Sequence, residues 1–166
     1  MLRVVVVLCA VALVKGQTTQ VQQCIFHNGP LPINTYVEGC IQPPCELPQK
    51  QDAVINIIFR APYTMHSMTT LATAFLSPAP IPYPLLANAV TCNFLTNTYC
   101  PVVKDEVIQY QLRMYIQPFF QVGVQPDIEF RIMDAQNNPV VCIRVSIRIV
   151  EELNRGGTNA TLIGKA

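Results

Sequence analysis

The chain has 166 residues, 51% of them hydrophobic and 13% charged, with mean hydropathy +0.31 and a formal net charge of +1. Charge this sparse excludes a disordered polyelectrolyte, and a net charge near zero excludes a basic field for nucleic acid or an anionic lipid surface. The length suits one domain large enough to bury a substantial core.

The chain opens with Arg3 and then an unbroken apolar run from Val4 to Val14. That run is too short to cross a bilayer core of roughly 30 Å as a helix. Val14 and Gly16 are suitable residues just before a cut after Gly16, so a secretory leader is predicted at residues 1–16. No later stretch is apolar for long enough to predict a transmembrane segment in the processed chain. Removing Arg3 and Lys15 leaves nine basic residues against ten acidic ones, a charge of −1.

Removing Cys9 with the leader leaves six cysteines: Cys24, Cys40, Cys45, Cys92, Cys100 and Cys142. An even count behind a leader predicts three disulfides, with roughly fifteen pairings open in principle. The short gap from Cys40 to Cys45, holding Pro43-Pro44, suggests one local clip, and the gap from Cys92 to Cys100 a second. Cys24 and Cys142 then remain. No C-x-x-C pair is present and the two histidines, His27 and His66, stand alone, so no metal site is expected.

Prolines are plentiful at 14 and glycines scarce at 7, which leaves little room for long helices. Between the prolines the pattern has period two. Short strands are predicted at 21–26 and 33–37. A longer one carries Ile55, Ile57 and Phe59 opposite Asn56 and Arg60. Met65 to Leu76 also reads as strand through its threonines, although Ala72 and Ala74 weaken the preference. The segment Ala79-Pro-Ile-Pro-Tyr-Pro84 is a stiff extended connection presenting Ile81, Tyr83 and Leu85. From Val107 to Ile116, the residues Ile108, Tyr110, Leu112, Met114 and Ile116 share one face. Ile128, Phe130 and Ile132 alternate with Glu129 and Arg131, and Val141, Ile143, Val145, Ile147 and Ile149 with Arg144, Ser146 and Arg148. Asp134 to Pro139 is a hairpin connection between these last two strands.

About seven short strands separated by turns predict an all-β, immunoglobulin-like sandwich of two antiparallel sheets over residues 17–152. The tail, residues 153–166, contains Gly156-Gly157 and is expected to be flexible. It holds the one N-x-S/T acceptor, Asn159. No nucleophile–base set, H-E-x-x-H or phosphate loop is present, so neither an enzyme nor a cofactor is expected. Asp105-Glu106 after Lys104 reads as a solvated turn rather than an acid–base pair.

Four features resemble one family. They are Cys24 near the processed start; Cys40-Ile-Gln-Pro-Pro-Cys45-Glu-Leu, similar to C-x4-C-x-L; Ala79-Pro-Ile-Pro-Tyr-Pro84, similar to a P-V-P-F-P loop; and Cys100-Pro-Val-Val-Lys-Asp105, similar to C-P-x-x-K-D. Together with Cys142 they resemble the ML-domain lipid-recognition family, within it the secreted sterol carriers of the Niemann-Pick type C-two kind. The resemblance spans about residues 20–151. It departs at Gln49-Lys50-Gln51, where the family has lysine-glycine, and at Tyr83, where the sterol carriers favour phenylalanine.

The resemblance implies a sandwich with an apolar cavity between its sheets, and the pairs Cys24–Cys142, Cys40–Cys45 and Cys92–Cys100. It implies that Tyr83, preceded by Ile81, guards the mouth of that cavity, faced by Ile116 and by Phe120 or Phe119. Leu112 and Met114, on the inward face of the same strand, and Leu85 beside the proline loop complete the expected ligand set. The implied function is a secreted carrier, in the extracellular space or the endosomal and lysosomal lumen, for a sterol, a fatty acid or, as in similar arthropod proteins, another small apolar signal. The alternative is a lipid-recognition module for innate immunity or chemosensation that works through a receptor or membrane-bound acceptor.

Overall fold

The computed structural model describes residues 16–76 and 79–152. The predicted leader (apart from Gly16), the tail from 153 and its acceptor Asn159 lie outside the described residues. Eight strands form two sheets among these residues. They are β1 (Asn34–Val37), β2 (Cys45–Pro48), β3 (Asp52–Arg60), β4 (Met68–Leu76), β5 (Ala79–Tyr83), β6 (Val107–Tyr115), β7 (Asp127–Asp134) and β8 (Pro139–Val150). One sheet has the order β1-β3-β6 and the other β2-β8-β7-β4-β5. No helix among the described residues is long and apolar enough to cross a membrane.

Period-two patterning sets which face each strand buries. Ala53, Ile55, Ile57 and Phe59 pair in register with Met114, Leu112, Tyr110 and Ile108, giving the smaller sheet one continuous apolar face. Across the sandwich, Phe130 lies between Ala72 and Ile143, and Ile128 between Ala74 and Val145. One polar cluster sits within this core. Thr70 Oγ1 donates to the Tyr110 hydroxyl at 2.8 Å and lies 2.8 Å from Thr91 Oγ1. Burial pushes the Tyr110 phenol up to about 12, against the two threonine hydrogen bonds, so it stays neutral.

Several predicted elements differ in detail. Residues 21–26 form no strand; Gln22 makes a single bridge to Arg144, because the segment that follows is held by side chains rather than by a ladder. Met65 likewise bridges only Val102, and the strand begins at Met68. The proline connection is itself a strand, β5. It pairs with β4 alone, and an edge strand turns every second N–H away from the ladder, where Pro80 and Pro82 lose nothing. β2, absent from the sequence reading, runs parallel to β8, so one strand pair of the larger sheet is parallel.

The disulfides are Cys24–Cys142, Cys40–Cys45 and Cys92–Cys100. The first ties an N-terminal strap to the outer face of the larger sheet. Pro30 O accepts from Cys142 N at 3.0 Å, and the chain passes so close that a Cβ on Gly29, at φ +152°, would lie 2.8 Å from Cys142 Cβ.

Candidate functional site

β5 is an edge strand of the larger sheet and is largely exposed. The register sets Ile81 and Tyr83 opposite Ala74 and Ala72, on the face turned toward the other sheet. Tyr83 closes this edge. Its hydroxyl donates to Tyr115 O at the end of β6, joining the two sheets, and its ring stacks on Phe120 at 5.9 Å between centroids. Burial raises the Tyr83 phenol above its ordinary value, keeping it a neutral donor. Phe120 is fixed in turn by its carbonyl, which accepts from Gln49 Nε2. The Gln49-Lys50-Gln51 turn also brackets Ile116, whose O accepts from Lys50 N at 2.8 Å and whose N donates to Gln51 O at 2.9 Å.

Behind Tyr83 and Phe120 lies a cleft between the sheets, lined further by Met114, Ile116, Ile128 and Ile147, with Pro126 and Ile149 completing the wall. The tyrosine hydroxyl and backbone apart, these side chains are apolar. The cleft holds about 20 Å³, room for about one water molecule. The cavity implied from sequence is therefore closed in this conformation, far below the roughly 300–1,000 Å³ of typical ligand pockets.

Of the residues singled out from sequence, Tyr83, Met114, Ile116 and Phe120 meet at this cleft. Leu112 is fully buried but one pair deeper, among the general core. Leu85 is buried on the far side of Tyr83, where it lines surface grooves. Ile81 and Phe119 are 49% and 73% exposed and do not line the cleft; Phe119 leans on Phe120 at 4.6 Å between centroids. Sequence reasoning missed Pro126, Ile128, Ile147 and Ile149. The alternation had placed the three isoleucines on inward faces, which was the available signal.

A second polar constellation lies on the outer face, under the strap. Glu129 is fully buried. Its Oε1 accepts from Ile25 N at 2.8 Å and Arg144 Nη1 at 3.2 Å, and its Oε2 lies 2.7 Å from His27 Nδ1. Arg144 also pairs with Asp127 at 2.7 Å and sits beneath the stacked rings of Phe26 and Phe75. Burial alone would raise Glu129. The bonds from His27, the strap N–H groups and Arg144 outweigh it and hold the carboxyl below its usual value. Asp127 is likewise held low, burial being outweighed by Ser146 and Arg144, and Asp134 falls to about 2 under bonds led by Tyr63. The Cys24, Cys142 and Glu129 atoms lie within 4.8 Å of one another, but the two sulfurs are spent on their own bond and offer no metal ligand.

These depressed values set the response to acid. A carboxylate whose folded value lies below its unfolded one stabilises the fold above the unfolded value and loses that contribution as pH falls toward the folded one. Stability is therefore expected to hold from pH 7 to about 5, and to fall progressively below about pH 4.5, as Glu129, Asp127 and Asp134 take up protons. Urea midpoints measured between pH 7 and 3 check this; a steep loss between pH 7 and 5 would contradict it.

The sequence matches the ML-domain family over residues 18–149, and the chain belongs to that family. It matches no curated protein. Among solved structures it is similar to a Niemann-Pick type C2 protein from Japanese carpenter ant, with 14% identity, a TM-score of 0.65, and cover of 78% of this chain and 98% of that one. It also aligns, at 9% identity and a TM-score of 0.45, with chicken MD-1 complexed with lipid IVa, over 68% of this chain and 77% of that one.

Proposed function

We propose that the chain is a carrier, not an enzyme, that holds a sterol, fatty acid or similar apolar molecule between its two sheets and releases it reversibly. The observation that carries this reading is the apolar inter-sheet cleft, sealed at one edge by the hydrogen bonds of the Tyr83 hydroxyl and an aromatic stack rather than by a strand ladder. Membership of a lipid-recognition family supports it. Loading requires the edge to open, with Tyr83 leaving Tyr115 and Phe120 swinging aside. The energetics allow it: at ~0.8 kcal/mol per methylene, an eighteen-carbon chain gains on the order of 13 kcal/mol, against association and ordering costs of ~4–15 kcal/mol. Three disulfides and the predicted leader support a secreted setting or an endosomal and lysosomal lumen.

Native mass spectrometry of the purified protein, with extraction of co-purifying molecules, tests the reading directly; failure to bind any sterol or fatty acid would overturn it. Two Tyr83 variants then separate latch from lining. Tyr83→Ala is expected to weaken binding of a fluorescent fatty acid or sterol by roughly 1–3 kcal/mol, the scale of one large apolar contact. Its effect on stability should be smaller than the ~3–5 kcal/mol of a core aromatic. Tyr83→Phe keeps the ring and removes the hydroxyl's hydrogen bonds to Tyr115 O and the Gln117 side chain, worth about 0.5–1.5 kcal/mol each. It is expected to speed ligand exchange several-fold with little change in affinity. Unchanged exchange in stopped flow would remove the hydroxyl from the gating step.

A further inference from the structure

At the edge of the larger sheet, an open groove of about 650 Å³ runs beside β4, β5 and the 84–89 segment, with Leu71, Thr73, Pro82 and Arg131 on its outer side. Its walls are mainly apolar: Leu71 and Leu86 are 39% and 79% exposed, and Pro82 and Ala89 join them beside Thr73. Arg131 also lines it, standing between Leu71 on β4 and Cys142 on β8 in register. A guanidinium has five N–H donors. Among the described residues this one donates a single bond, from Nη2 to Thr73 Oγ1 at 3.5 Å, and its buried Nε meets no acceptor.

Arg131 makes no salt bridge among the described residues; Arg144 takes the nearby carboxylates of Glu129 and Asp127. Burial lowers its pKa, with Glu129 pulling the other way. A surface arginine in a polar setting would be solvated and unremarkable. Here a partly desolvated cation, underused as a donor, shares a groove with exposed leucines and prolines. That combination suits a ligand with one anionic end and one apolar end, because guanidinium recognises carboxylate through two parallel bonds.

We propose that this groove binds a small free carboxylic acid, its carboxylate on Arg131 and its short chain over Leu71, Pro82 and Leu86. The groove shares Tyr83 with the inter-sheet cleft but none of the cleft's other lining residues, so the amides that shift tell the two sites apart. The test is amide chemical-shift mapping of the purified protein with hexanoate, and with 1-hexanol as the neutral control. Hexanoate is expected to shift the amides of Leu71, Thr73 and Ala89. Hexanol should bind roughly tenfold more weakly, the scale of a charge-assisted bond pair. Arg131→Gln should abolish the hexanoate shifts while keeping a dispersed, folded spectrum, and Arg131→Lys, which keeps the charge but not the fork, should retain part of the affinity. Equal binding of hexanol, full binding by a folded Arg131→Gln, or no shift at the groove would each overturn the proposal. Shifts confined to Ile128 and Ile147 would overturn it too, while leaving the inter-sheet reading intact.

Discussion

Replacing Cys24 and Cys142 together by serine is expected to cost about 4–5 kcal/mol, among the largest losses open to this chain. The bond closes a loop with a sequence separation of 118, and constraining so long a segment of the unfolded chain sets that scale in the entropy model. By the same model Cys40–Cys45, with a separation of 5, contributes less. The sulfurs also pack where Gly29 crosses β8, so the strap loses its anchor as well as its cross-link. Urea unfolding of the double variant checks the magnitude; a loss under about 1 kcal/mol would mean that the strap is held by its polar contacts alone. The cleft lies on the inner face of the sheet and the strap on the outer. Ligand affinity, measured well below the unfolding midpoint, should therefore change much less than stability.

Much of this architecture was legible in the sequence because four strands alternate apolar and polar residues. β3, β6, β7 and β8 each alternate over five or more residues, and period two then leaves a single assignment of faces. β2 has four residues, too few for a pattern, and takes its place from the adjacent Cys40–Cys45 clip and from β8. β5 was obscured by its prolines, which forbid a central strand but not an edge. The site was legible only in part. Met114 and Leu112 share a face, yet only Met114 lies at the sheet end beside the cleft, and depth along a strand is set by tertiary packing. Phe119 and Phe120 are neighbours in sequence, but only Phe120 reaches Tyr83. Glu129 and Arg144 sit at polar positions of alternating strands, where the pattern reads solvent. The strap covers them, and no local signal announces that cover.

Glu129→Ala is expected to cost about 3–5 kcal/mol, because it removes one side of a buried charge pair and leaves the other without it. Arg144 would keep Asp127 at 2.7 Å but lose its fully buried partner, and the N–H groups of Ile25 and Phe26 would lose their acceptor. Glu129→Gln keeps the shape and one acceptor oxygen, so it should cost less and separate charge from hydrogen bonding. The depressed carboxyl value adds a signature that simple truncation of a contact lacks. The deficit of Glu129→Ala relative to the parent should be full at pH 7 and shrink below about pH 4.5, as the parent's own carboxylate becomes protonated. Because Glu129 and the Cys24–Cys142 bond hold the same strap, the combined variant should lose less than the two losses added, a non-additivity of order 1 kcal/mol or more. Strict additivity would mean that the disulfide and the carboxylate secure independent parts of the fold, which is not what a strap anchored by both implies.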